Sequence, residues 1–274
     1  AAVGRATVFI SHAWKYKFLD VVDALMSHFQ HEPDIVIWFD LFSNNQHKAT
    51  ELPYEWWCTT FKSAIGEMKR MVMVLSPFSN PIPYTRAWCI FECYCCADTG
   101  SDFEIAMCAA DEAVFIQDAE RDATSTIGSM LAIINAEKSE CYMPADRDRI
   151  FQAIRDTVGF HRINSMVFEQ LRGWVIRTGE ETLKRNTDKE RHLSLLRMMA
   201  TLYAGQGAYA KAEPMYVECL DETKARFGNE HPHTIASLDD LAELYKLQGE
   251  YAKAEPMFVK CLDVRNAMLG DDHP

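Results

Sequence analysis

A chain of 274 residues, nearly half of them apolar, is long enough for two domains with buried cores. Forty acidic against 28 basic side chains give a formal net charge of −12, which excludes non-specific binding to nucleic acid or to anionic membranes. Nine cysteines without framework spacing suit a reducing compartment, and no apolar run has the length that crosses a bilayer, so a cytoplasmic protein is expected.

Residues 1–5 do not form a signal peptide and run straight into a strand-like segment. The chain has no initiator Met and stops at His273-Pro274, a repeat boundary. A longer natural protein with further C-terminal repeats is therefore expected. In chain order, residues 6–11 read as a short apolar strand and 18–29 as a helix. Residues 34–39 read as a second strand ending at Asp40, 41–52 as a polar turn, and 53–69 as a helix. A third strand is expected over 71–76, then a Pro-rich link over 77–83 and a helix over 85–97. A fourth strand is expected over 103–109, a fifth near 141–143, and a helix over 146–158. Apolar strands separated by helices imply a parallel sheet of five strands with helices on both faces, a flavodoxin-like α/β layout.

In such sheets ligands sit beyond the carboxyl ends of the strands. Those ends are Ser11-His12-Ala13-Trp14, Asp40-Leu41-Phe42 and Ser76-Pro77-Phe78, and none carries a GxxxxGK phosphate loop. The helix over 85–97 is apolar nearly all round except for Glu92, and Trp88 lies one turn earlier on the same face. A carboxylate beside an indole and thiols is expected to be partly desolvated, which makes Glu92 a site candidate. A solvent-facing acid, or one capping a nearby amide, is the alternative at this point. Cys89, Cys93 and Cys96 share a helix face without a second ligand pair elsewhere, so they read as small buried hydrophobes and no metal site is expected. Trp56 and Trp57 read as core packing, and local spacing suggests no Ser/His/Asp triad.

The segments Val8-Phe9-Ile10-Ser11-His12, Trp38-Phe39-Asp40 and Trp88-Cys89 with Glu92 together resemble a TIR domain. The resemblance covers about residues 5–100 by motif and 101–185 by general layout. It implies a self-associating signalling module, in a subset of which NAD is cleaved at the nicotinamide–ribose bond. It further implies a catalytic role for Glu92 and a pocket-lining role for Trp88. Ser11, His12, Trp14, Phe39 and Asp40 would then hold the nucleotide. NAD is a substrate in this reading, and no cofactor is expected.

The last third repeats with a 42-residue period. Leu202-Tyr203, Gln206-Gly207 and Tyr209 return as Leu244-Tyr245, Gln248-Gly249 and Tyr251, and residues 210–215 (AKAEPM) return unchanged at 252–257. Each unit reads as two helices around a Gly turn, for example 234–247 and 251–269, with Pro214 and Pro256 bending the second helix. Gly205-Gln206-Gly207 matches a loose dinucleotide pattern but follows a helix and falls on repeat positions. His231-Pro232-His233 likewise reads as turn chemistry, since the His-Pro pair returns at His273. This pattern resembles the tetratricopeptide repeats of kinesin light chains, which implies an α-solenoid with a groove for peptides or partner proteins.

The expected organisation is a TIR-like domain over 1–160, a connecting helix over 161–188, and repeats over 189–274. The expected function is NAD cleavage switched on by self-association of the TIR-like domain, with the repeats sensing an unidentified protein or peptide. The alternative is a non-catalytic adaptor that binds proteins through both halves.

Overall fold

The computed structural model describes residues 4–39, 54–75 and 77–269. Asp40, the expected turn over 41–52, Ser76 and the side chains of Trp56 and Trp57 lie outside the described residues, as does the His273-Pro274 pair. Two compact units divide the chain. One comprises Ala1–Gln117 with Ser125–Val175, the other Asp118–Thr124 with Ile176–Pro274.

The first unit is built on β1 (Val8–Ser11), β2 (Ile37–Trp38), β3 (Arg70–Val74) and β4 (Asp102–Ala106). All pairings are parallel, in the order β2-β1-β3-β4. Side chains alternate between the two faces of a strand, and here that alternation sorts the helices. Val8 and Ile10 pack with Val21, Ala24 and Leu25 of α1 (Phe18–His28), together with Val72, Val74 and Ala106. Phe9 has the opposite parity. It stacks on Trp38 at 4.4 Å and meets the edge of Phe61 in α2 (Tyr54–Met68). Ser11 shares the parity of Phe9, so its hydroxyl is delivered to the α2 side of the sheet.

The sequence implies a fifth strand near 141–143, but the sheet has four among the described residues. Glu140 instead makes an isolated parallel bridge to Arg86, just before α3 (Ala87–Asp98). Its N–H donates to the Thr85 carbonyl and its carbonyl accepts from Ala87 N–H, at 2.8 and 2.9 Å. The first amides of a helix lack intrahelical partners, so the segment caps α3 rather than extending β4. The stretch after β4, to which sequence periodicity assigns no element, forms α4 (Ala109–Ala132), with a kink at Asp122. Further helices follow as α5 (Pro144–Thr157) and α6 (Gly159–Arg185).

At the other end of the strands, Arg70 of β3 ties the segment after α1 to the sheet. Its guanidinium donates to both Glu32 oxygens, at 2.7 and 2.8 Å, and to both Glu104 oxygens, at 2.7 and 3.0 Å. His28, in the last turn of α1, lies 2.8 Å from Glu104 Oε2. Burial alone opposes ionisation of Glu104, but His28 and Arg70 outweigh it and bring the carboxyl down to about 2.

The second unit contains α7 (Lys189–Gly205), α8 (Tyr209–Phe227), α9 (Pro232–Leu247) and α10 (Tyr251–Leu269). Gly207 and Gly249 take left-handed backbone, φ +72° and +78°, at the turns inside each hairpin, which is why glycine recurs there. Pro214 and Pro256 lie inside continuous helices. The 42-residue period extends to side-chain contacts. The Cys219 thiol donates to the Leu193 carbonyl at 3.7 Å, and Cys261 to that of Ile235 at 3.6 Å. The Lys211 ammonium sits over the Tyr203 ring at 5.0 Å, and Lys253 over Tyr245 at 4.8 Å. The Tyr203 hydroxyl donates to Glu180 of α6, as Tyr245 does to Glu213 of α8. The C-terminal part of α6 thus meets α7 as α8 meets α9. At Gly179 an added Cβ would fall on the Met199 sulfur, so the missing side chain lets α6 and α7 approach closely.

Candidate functional site

In a parallel sheet wound outward in both directions from β1, the crevice beyond β1 and β3 is where connections leave to opposite sides. Ser11 ends β1 at that point and α3 carries Glu92 to it. The Ser11 hydroxyl donates to Glu92 Oε2 at 2.6 Å, joining residues 81 positions apart. Ser11 is 1% exposed and Glu92 is 9% exposed. A hydroxyl this close to a carboxylate oxygen has the length of a charge-assisted hydrogen bond. Glu92 is flanked by a run of buried neighbours on α3 from Cys89 to Cys96, so the desolvation that the sequence suggests is present.

A second contact ties the same two elements together. The Cys89 thiol, one turn before Glu92, donates to the carbonyl of His12 at 3.4 Å. Nothing in local sequence spacing signals this bond, because it depends on the register of α3 against the end of β1. His12 stacks on Phe39 at 4.5 Å and 19°, and both side chains are buried. Trp14 is 65% exposed, so of the residues expected at the end of β1 it is the one that faces solvent. Asp40 lies outside the described residues.

Trp88 is partly buried and meets the edges of Phe61 at 5.5 Å and Phe91 at 6.3 Å. Burial pushes the nearby Cys141 thiol up to about 11. The Glu140 carbonyl, on Ala87 N–H, thus occupies the first amide of the helix that presents Glu92.

The thiols of α3 belong to the core. Cys93, Cys95 and Cys96 are completely buried. Burial drives the thiols of Cys93 and Cys95 well above their ordinary value and Cys96 up to about 12. Thiols held protonated in this way are poor nucleophiles and poor metal ligands. Among the described residues, no group of three or more His, Cys, Asp and Glu side chains could hold a metal ion. Likewise, no helix among them is long and apolar enough to cross a membrane.

A family model for the tetratricopeptide repeat matches residues 191–267, covering the repeats and none of the α/β unit. No curated protein matches the chain. The repeat match supports a protein-interaction module in the second unit.

Proposed function

We propose that the α/β unit is a TIR-like domain that cleaves NAD at the nicotinamide–ribose bond, with the repeats binding a protein or peptide partner. The observation that carries this reading is the Ser11–Glu92 pair at the switch point of the sheet, with Trp88 one turn before the carboxylate. The strand order matches the first four positions of the flavodoxin-like arrangement that the motifs imply. Cleavage breaks the bond between the ribose C1′ and the nicotinamide nitrogen, and the electron pair leaves with neutral nicotinamide. The ribosyl carbon becomes an oxocarbenium-like cation, which the Glu92 carboxylate stabilises. Water then adds to that carbon and releases one proton, giving ADP-ribose.

Glu92 is largely shielded from solvent, so substrate entry requires the residues around it to part. In our reading, partner binding by the repeats brings α/β units together in the cytoplasm, and their self-association completes the site. Concentrated protein is incubated with NAD, and nicotinamide release is followed for wild type and Glu92→Ala. Turnover in wild type that disappears in Glu92→Ala supports the proposal. No turnover at any protein concentration, or equal turnover in the variant, refutes it.

The burial of Glu92 also favours a second reading, in which the carboxylate is structural and the chain is a non-catalytic adaptor. That reading is supported by a stable partner complex in a protein that neither binds nor turns over NAD.

A further inference from the structure

The geometry points to Ser11 as a positioning residue for Glu92, not a contact for the nucleotide. This rests on Glu92 being the reactive carboxylate proposed above. Ser11 is the last residue of β1, a strand paired on both sides, and its register partner on β3 is Met73. A residue held in register by β3 at the end of a central strand and 1% exposed is placed to hold another side chain, and its hydroxyl is not presented to a ligand.

A glutamate carboxylate turns in a broad torsional well about its last bond. Ser11 supplies one hydroxyl proton, directed at Oε2, and that bond sets the plane of the carboxylate. The bond from Cys89 to the His12 carbonyl joins the next residue of the chain to the same helix one turn earlier. The end of β1 is therefore latched to α3 at two successive residues, and the carboxylate orientation inherits the rigidity of the central strand. Orientation of this kind lowers the barrier to reaction without adding affinity for the ground state.

The test uses the full chain and the variants Ser11→Ala and Ser11→Thr, with thermal melts run in parallel. For the kinetic arm, Ser11→Ala is expected to lower kcat about ten-fold or more while KM stays within about two-fold, and Ser11→Thr, which keeps the hydroxyl, to restore kcat. A raised KM with unchanged kcat would make Ser11 a substrate contact and overturn the inference. An infrared arm is independent of turnover. The difference spectrum of wild type minus Glu92→Gln isolates the Glu92 carboxylate stretch, which is expected to shift in Ser11→Ala and return in Ser11→Thr. A band that superimposes on wild type in Ser11→Ala overturns the positioning role. A wild type that releases no nicotinamide refutes the NAD reading, and the infrared comparison still decides the role of Ser11.

Discussion

Replacing Glu104 by Gln tests whether the charged cluster at the start of β3 holds α1 to the sheet. The carboxylate receives three close contacts, two from Arg70 and one from His28, and its carboxyl is lowered from the ordinary 4.5 to about 2. At about 1.4 kcal/mol for each pH unit, ionised Glu104 stabilises the fold by about 3 kcal/mol at neutral pH relative to its protonated form. A folded value below the unfolded one means that this contribution is present above 4.5 and fades as pH falls toward 2. Gln stands in for the protonated acid, so Glu104→Gln is expected to cost about 3 kcal/mol at pH 7 and about 1.4 kcal/mol at pH 3. The Arg70–Glu32 bond remains in the variant and keeps the guanidinium paired. All six tryptophans lie between Trp14 and Trp174, within the α/β unit, so urea unfolding followed by tryptophan fluorescence reports on that unit. An equal penalty at pH 7 and pH 3, or one below about 0.5 kcal/mol at pH 7, refutes the assignment of this stability to ionised Glu104.

In the repeat unit, Leu241 of α9 is 4% exposed, and Leu241→Ala is expected to destabilise it by about 2–5 kcal/mol. Loss of less than about 1 kcal/mol, read from far-UV circular dichroism on urea titration, would place the side chain outside the repeat core. Gly249→Ala meets no atom within 4 Å, so its cost is conformational, about 1 kcal/mol from the φ of +78°. An unchanged unfolding midpoint for Gly249→Ala would show that the turn does not need left-handed backbone.

The repeat unit was the more legible half because its information is local and stated twice. The same residues 42 positions apart meet the same partners, as Cys219 and Cys261 do with Leu193 and Ile235. Hairpin turns follow from Gly207 and Gly249 without knowledge of the rest of the chain. The α/β unit was legible in its strand cores, since buried parallel strands are near-continuous apolar runs. It misled near Cys141, where a short apolar segment signals a strand equally well whether it joins a sheet or caps a helix. Sequence periodicity does not contain the bond between Glu140 and Ala87 that decides the matter. Sequence periodicity assigns no element to the helix Ala109–Ala132, whose path a kink at Asp122 interrupts.

At the candidate site the sequence singles out residues but does not contain the relations between them. Glu92 stood out because a single carboxylate on an apolar helix face is costly unless something receives it. What receives it is Ser11, 81 residues away, chosen by the parity of β1 and by the register of α3 against it. The resemblance implies a nucleotide contact for His12 and Phe39, and in the structure their rings stack on each other below the surface. Strand-end residues therefore divide by burial into those that build the support and those that can reach a ligand. By that division Ser11 holds Glu92, His12 and Phe39 belong to the interior, and Trp14 is the strand-end side chain exposed to solvent.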